Sequence, residues 1–479
     1  MKAIKYLFIA ALTAGYSANA MAQEATGTKA DIDVVKKIIS SKPADLDKQM
    51  KDFYKKNKKN AENLIAFGRA FYEAKDTANA KVYANHALQA SKNKCAPAFL
   101  LLGDISALAD DGGGAASQYE QAIYVDPKNP DAYYKYALVN RKVNPRMVAQ
   151  KLDELKAQRP DIDVDAIKGH ICAISKDDKG AYESYSKANI ANLDRSNLVE
   201  FASACFFTGK HADGLKVVQE AVKKYPRYAT FNRLGMMFCV ELQNYQEGLN
   251  FADRLFNASD SLKAHNQEYF YQGLAHNGLK NYDKAIESFQ KALSIQSEGN
   301  LVGEASILKS IADAHKANGN FDEAANYLRR HIEKKEKPSF NDHEEIAKLF
   351  QMQARDTTLA QPIREAALAK ADAAYDELGQ KFENNLLYVL YQRANIAMQL
   401  DPELQKGTAQ PHYLKIIELV EPKTDRDKGD TQILRTAYHY MMSRSLLIDK
   451  DKAKAKDYAA KILVIDPEYK PALAVQELK

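Results

Sequence analysis

Tryptophan is absent from this 479-residue chain, and cysteine occurs only four times. Cys95, Cys172, Cys205 and Cys239 lie far apart, with no C-x-x-C spacing, so a thiolate metal knuckle has nothing to build on. Charge of one sign is not in excess either. Lys and Arg number 68 against 63 Asp and Glu, a formal net charge of +5, which leaves no global footprint for nucleic acid. Catalytic signatures are missing as well. There is no G-x-S-x-G elbow and no G-x-x-x-x-G-K-[ST] phosphate loop. His343-Glu344 starts like H-E-x-x-H, but position 347 is Ala and the second ligand is gone. The ten histidines are scattered, with no i, i+4 pair. Asp110-Asp111-Gly112-Gly113-Gly114 has no following Lys and reads as a flexible turn between helices. Asn257-Ala258-Ser259 fits an acceptor tripeptide too common to carry weight. The expectation is a chain that is not an enzyme and holds no cofactor or metal.

Long apolar runs are also lacking. The one near the start, Leu7–Ala14, is far short of the roughly 20 residues a spanning helix needs. Lys2 and Lys5 precede it, and the small-x-small sites Ala18-Asn19-Ala20 and Ala20-Met21-Ala22 follow it, as in a secretory leader. The second site starts the mature chain at Gln23, and losing the two lysines leaves a net charge of +3. With no Cys beside the cleavage site, a lipoprotein is disfavoured. The leader resembles those of Gram-negative bacteria, Bacteroidota in style, which implies the periplasm.

What the chain has in abundance is helical periodicity, with 27 Tyr and 18 Phe to fill apolar positions. In Asn266–Gly299, Tyr269 and Gly273 share one helical face. A turn follows at Gly278 and Asn281-Tyr282-Asp283. Ala285, Phe289 and Ala292 then recur at i, i+4 and i+7. The same spacing returns along the chain. It is seen at Leu64, Phe67, Gly68 and Phe71 with Ala80, Ala84 and Ala87, and again at Phe99, Leu102 and Gly103 with Ala115, Tyr119 and Ala122. Asp126-Pro127 closes that unit, since Pro cannot continue a helix. Gly169 with Ala181 and Tyr185, Phe201 with Val218, Gly235 with Ala252, and Ile311 with Ala324 and Leu328 carry it onward. Beyond Pro338 the pattern is longer and less regular. Leu386–Leu400 is a strongly apolar helix, Glu421–Asp430 a charged loop, and Tyr469–Lys479 a closing helix.

These residues resemble the tetratricopeptide repeat, a helix–turn–helix unit of about 34 residues. The resemblance implies an all-α fold, an α-solenoid wound as a right-handed superhelix of such units. The organisation it implies is a leader over 1–22, a helical cap or degenerate repeat over 23–60, and about eight regular units over 61–338. Irregular repeats and a cap helix, or a separate small helical domain, follow over 339–479. Cys172 and Cys205 fall at the same position of neighbouring units. They are read either as a close pair or as small buried hydrophobes. The basic stretch Lys55–Asn60 is read as a solvated helix end.

The resemblance further implies a concave groove lined by the first helix of each unit. Projected onto this chain, it gives Arg69, Tyr72, Asp104, Tyr134, Arg141, His170, Phe206, Asn232, Met236, Phe270, Asn277, Lys309, Asp313 and Lys316. Aromatics with isolated charges suit an extended peptide or a helix laid in a groove. The Lys, Asn and Arg set with which one subgroup clamps a C-terminal carboxylate is not found, Asn232-Arg233 being the nearest fragment. The leading expectation is a protein-binding scaffold or adaptor of the cell envelope, with one or a few protein partners and no nucleic acid. The rivals are a periplasmic holdase or assembly chaperone, and a cell-wall glycan-binding protein.

Overall fold

A computed structural model describes residues 29–41, 43–295 and 301–478. The leader over 1–22 lies outside the described residues. Among the described residues the chain forms 25 α-helices and no strand, apart from one isolated bridge between Tyr228 and Asp260. It divides into two compact parts. The first runs up to Leu242 and takes back Asn257–Asp260; the second comprises Gln243–Phe256 and everything from Ser261 onward.

The first part is a succession of helical pairs. They are α1 Lys29–Ser41 with α2 Leu46–Asn57, α3 Ala61–Glu73 with α4 Thr77–Ser91, and α5 Ala96–Leu108 with α6 Gly112–Val125. Next come α7 Pro130–Asn140 with α8 Pro145–Gln158, α9 Val164–Ile174 with α10 Asp178–Tyr185, and α11 Arg195–Phe207 with α12 His211–Lys224; α13 Ala229–Glu241 ends the series. The second part opens with α14 Tyr245–Asp253. It continues through the pairs α15 Asn266–Gly278 with α16 Tyr282–Ser294, α17 Glu304–Ala317 with α18 Phe321–Glu333, and α19 Phe340–Arg355 with α20 Gln361–Lys381. Then come α21 Leu386–Leu400 with α22 Gln410–Val420, α23 Lys428–Leu447 with α24 Lys452–Ile465, and α25 Lys470–Gln476.

One local device makes the turn within most of these pairs. The first helix ends in a residue with positive φ, such as Lys75 at 65°, Asp110 at 62° or Lys176 at 63°. The next residue's N–H then reaches back to a carbonyl five residues earlier. Asp76 donates to Phe71 O, Asp111 to Ser106 O and Asn281 to His276 O, each at 2.9 Å. This is the Schellman closure of a helix C-terminus. In α4, α6 and α10 the residue that makes it is also the N-cap of the second helix, because the side chains of Asp76, Asp111 and Asp177 accept from the N–H three residues on. One Asp thus ends one helix and starts the next. The run Gly112-Gly113-Gly114 is therefore no flexible turn. It is the first turn of α6, and Gly114 N–H donates to Asp111 Oδ1 at 2.8 Å.

Packing within three of the pairs turns on the absence of a side chain. A Cβ on Gly103 would sit 2.4 Å from the Tyr119 ring, one on Gly169 2.6 Å from Tyr185, and one on Gly273 2.5 Å from Phe289. In each case the aromatic follows the glycine by 16 residues, which puts the ring of the second helix flat on the backbone of the first. Tyr119, Tyr185 and Phe289 are all buried.

The core also runs on past Pro338. Ala324, Leu328, Ile346, Leu349, Tyr375 and Ile396 belong to one apolar cluster, so α19 to α21 continue the stack begun by α17 and α18. At the far end Ala472 and Val475 of α25 join the cluster of α21 to α24, covering its last apolar face as a terminal cap must.

Overfilling the seat at Gly273 should cost about 1–3 kcal/mol, because the ring has nowhere to go. We predict a lower melting temperature for Gly273→Leu than for Lys284→Leu, whose site on α16 is exposed. Equal melting temperatures would contradict the packing described.

Candidate functional site

The first helices α3, α5, α7, α9 and α11 carry most of the projected groove residues of the first part, and several of these side chains meet across helix boundaries. Asp104 on α5 accepts from Lys135 Nζ on α7 at 2.5 Å and from Tyr119 OH at 2.9 Å. Tyr72 on α3 feels both this carboxylate and its own neighbour Arg69. Burial pushes the Tyr72 phenol up to about 12, Asp104 adds to the shift, and Arg69 opposes it. One position along α7, Tyr134 OH lies 3.1 Å from His170 Nε2 on α9, with the two rings stacked at 6.0 Å. His170 Nδ1 is 3.0 Å from the Glu200 carboxylate on α11, which also accepts from Tyr185 OH at 2.6 Å. Tyr185 is the ring seated on Gly169, so this polar row is anchored to the packing seat beneath it.

The second part repeats the theme with ion pairs. Lys309 Nζ on α17 lies 2.8 Å from Asp313 Oδ1 and 2.8 Å from Glu345 Oε1 on α19; Lys316 Nζ is 2.9 Å from Asp313. Lys309 and Lys316 hold the Asp313 carboxylate below its ordinary range against the opposing effect of burial. Glu344 is buried, paired with Lys348 at 2.7 Å, and accepts from Tyr388 OH on α21 at 2.5 Å. That uses up the glutamate of the incomplete H-E-x-x-H, while His343 packs on Phe382. Between α17, α18 and α19 a cavity of about 220 Å³ has Ala312, Leu328 and Leu349 at its floor and Asp313, Lys316 and Glu345 around it.

Not every projected residue is at a surface. Asn232 and Met236 are fully buried. They lie on α13, where nearly every residue from Phe231 to Val240 is buried, and a helix apolar on all sides is interior. Asn232 Nδ2 donates to Pro226 O and Ser259 Oγ, tying down the strand of chain that returns to the first part. Phe206 is half-buried against Phe238 and His211, and Phe270 against Phe289; both are packing residues with one edge in solvent. Arg141 lies just past the end of α7 and donates through Nη1 to Leu138 O. Asn277 is half-buried, with Oδ1 lacking a hydrogen-bond partner.

Lys135, Glu200, Glu344, Glu345 and Tyr388 were missed by the projection. Their signal was present: opposite charges 31 residues apart at Asp104 and Lys135, and 36 apart at Lys309 and Glu345. The four cysteines are free thiols, three of them buried and Cys172 half-buried. Burial raises the Cys205 thiol to about 12, which suits a small core hydrophobe.

The fold thus defines a helical repeat protein, and comparison with known proteins narrows the class. Residues 268–337 match the tetratricopeptide repeat family, a repeat type that mediates protein–protein interaction. No curated protein matches the chain. Among solved structures, the C-terminal part of a TPR repeat-containing protein from Cytophaga hutchinsonii is 20% identical with a TM-score of 0.38, covering 58% of this chain and 100% of that one. A tetratricopeptide repeat protein from Parabacteroides merdae is 14% identical with a TM-score of 0.32, covering 53% and 98%. The Naa15/Naa10 complex bound to HypK-THB is 14% identical with a TM-score of 0.31, covering 89% and 67%.

Two histidines at the ends of the first helices contribute to a pH dependence of the second part, together with His343, His412 and His439, which burial also lowers. His276 and His315 both have Nδ1 buried without a hydrogen-bond partner. Burial lowers both below the ordinary 6.5; Lys284 lowers His276 further, while Glu287 opposes there and Glu323 and Asp283 oppose at His315. The unfolded chain therefore takes up these protons first. Their contribution is fully present above about pH 6.5 and is lost as the pH falls below it. We predict a melting temperature that is flat from pH 8 to 7 and drops towards pH 5, with a shallower drop in the His276→Gln/His315→Gln double variant. An unchanged slope in that variant would refute the assignment.

Proposed function

We propose that this chain is a non-enzymatic protein-binding scaffold or adaptor of the bacterial cell envelope, and that it holds a peptide or helix of its partner against its first helices. The observation that carries the proposal is the pairing of polar and charged side chains from one first helix to the next. Asp104–Lys135 and Tyr134–His170–Glu200 do this in the first part, and Lys309–Glu345 and Glu344–Tyr388 in the second. Side chains already held by neighbours lose little freedom on binding, and pre-organisation of this kind favours affinity. Alternating acids and bases over an apolar floor also suit a polypeptide better than a polyanion. The match of residues 268–337 to a protein-binding repeat supports the same reading. Periplasmic location rests on the leader pattern of 1–22. Among the described residues no helix is long and apolar enough to cross a membrane.

The test is crosslinking in the cell followed by affinity capture, run with the wild type and with His170→Ala and Lys309→Glu. We expect one or a few stoichiometric envelope proteins, reduced at least several-fold by one of the substitutions. A broad, weakly enriched set of unrelated proteins would favour a holdase. A single partner indifferent to both substitutions would remove the first-helix face from consideration.

A further inference from the structure

The first part contains a second cavity, of about 390 Å³, bounded by α8, α9 and α10 and by the turn between α7 and α8. That is within the range of small-molecule sites, which are mostly apolar with a few placed polar groups. Its floor is Val148, Leu152 and Ile171. What keeps it open is the size of its walls, since Ala149, Cys172, Ser175 and Ser184 stand where larger side chains would fill the space.

The polar groups in the walls already have partners. Ser175 Oγ donates to Ile171 O at 2.6 Å, Ser184 hydrogen-bonds Cys172, and the Asp177 carboxylate caps α10 through Gly180 N–H at 2.9 Å. Burial, with the Asp177 carboxylate adding to it, raises the Cys172 thiol, so the thiol itself is neutral, while the charge of Asp177 is turned to the N-terminus of α10. Lys168 is 2.5 Å from Asp153. The cations at the mouth differ. Among the described residues Arg141 Nε is buried with no hydrogen-bond partner, and its guanidinium bonds the Leu138 carbonyl through Nη1. Lys142 is exposed, and neither residue has a carboxylate partner among the described residues. A cavity with an apolar floor, saturated walls and two unmatched cations at its mouth asks for one kind of ligand.

We propose that this cavity binds a small amphipathic carboxylate, with the carboxylate at Arg141 and Lys142 and the aliphatic chain over Val148, Leu152 and Ile171. The site is separate from the polar rows on the first helices, and occupying it needs no protein partner. The chain length of the ligand sets its affinity, because each methylene added removes more apolar surface from water.

The experiment is calorimetric titration of the full chain with sodium butanoate, hexanoate and octanoate, with octanamide as the neutral control. Octanoate should bind roughly tenfold more tightly than hexanoate, and octanamide should bind far more weakly than octanoate. Arg141→Gln and Lys142→Gln should each weaken octanoate several-fold. Ala149→Phe should abolish binding; position 149 is exposed on α8, so the variant should melt like the wild type. Lys142→Gln, a surface change, keeps the test intact should the Phe variant fold poorly. No octanoate binding, affinity independent of chain length, or binding untouched by both Lys142→Gln and Ala149→Phe would overturn the proposal.

Discussion

The close approach of paired helices at a residue without a side chain is the constraint on which the rest depends. At Gly103, Gly169 and Gly273 an aromatic ring from the second helix occupies the space a Cβ would need. The ring supplies a large buried apolar area, and the glycine sets how near the two axes come. Because glycine and ring keep the same 16-residue offset, these three pairs share the same internal contact. The Asp-capped turn has the same effect on the connection, closing one helix and opening the next with a single residue.

Regular pairs bring their first helices side by side, and that is what lets Asp104 meet Lys135 and His170 meet Glu200. The rows are tied to the core beneath them. Tyr119 packs on Gly103 and donates to Asp104; Tyr185 packs on Gly169 and donates to Glu200. In both cases the phenol ring belongs to the packing and its hydroxyl to the surface row. The abundance of Tyr and absence of Trp fit this double use, since a phenol can pack flat and still present one polar atom at its tip.

Much of this was legible in the sequence. The glycine and aromatic spacing located the pairs, and Leu386–Leu400 matches a helix of the structure residue for residue. The groove was legible only as a face. Projecting a position onto a first helix says which way it points, not what lies against it. Asn232 and Met236 were therefore placed at a surface although α13 is buried almost all round. Gly112–Gly114 looked like a loop because three glycines disfavour a helix, yet the Asp111 cap and the packing of Ala115 and Tyr119 win. The inter-helix pairs were visible only as charges 31 and 36 residues apart, a signal with no meaning until the helices are aligned.

The central claim is that partners meet the first helices. It is tested most directly by placing a photo-reactive amino acid, one position at a time, in the living cell. Tyr72 and Lys316 represent the first helices; Tyr124 on α6 and Val464 on α24, both strongly exposed at 83% and 85%, represent the second. The account predicts a discrete crosslinked partner from 72 and 316 and none from 124 or 464. Crosslinks from 124 or 464 alone would contradict it and move the binding face to the second helices.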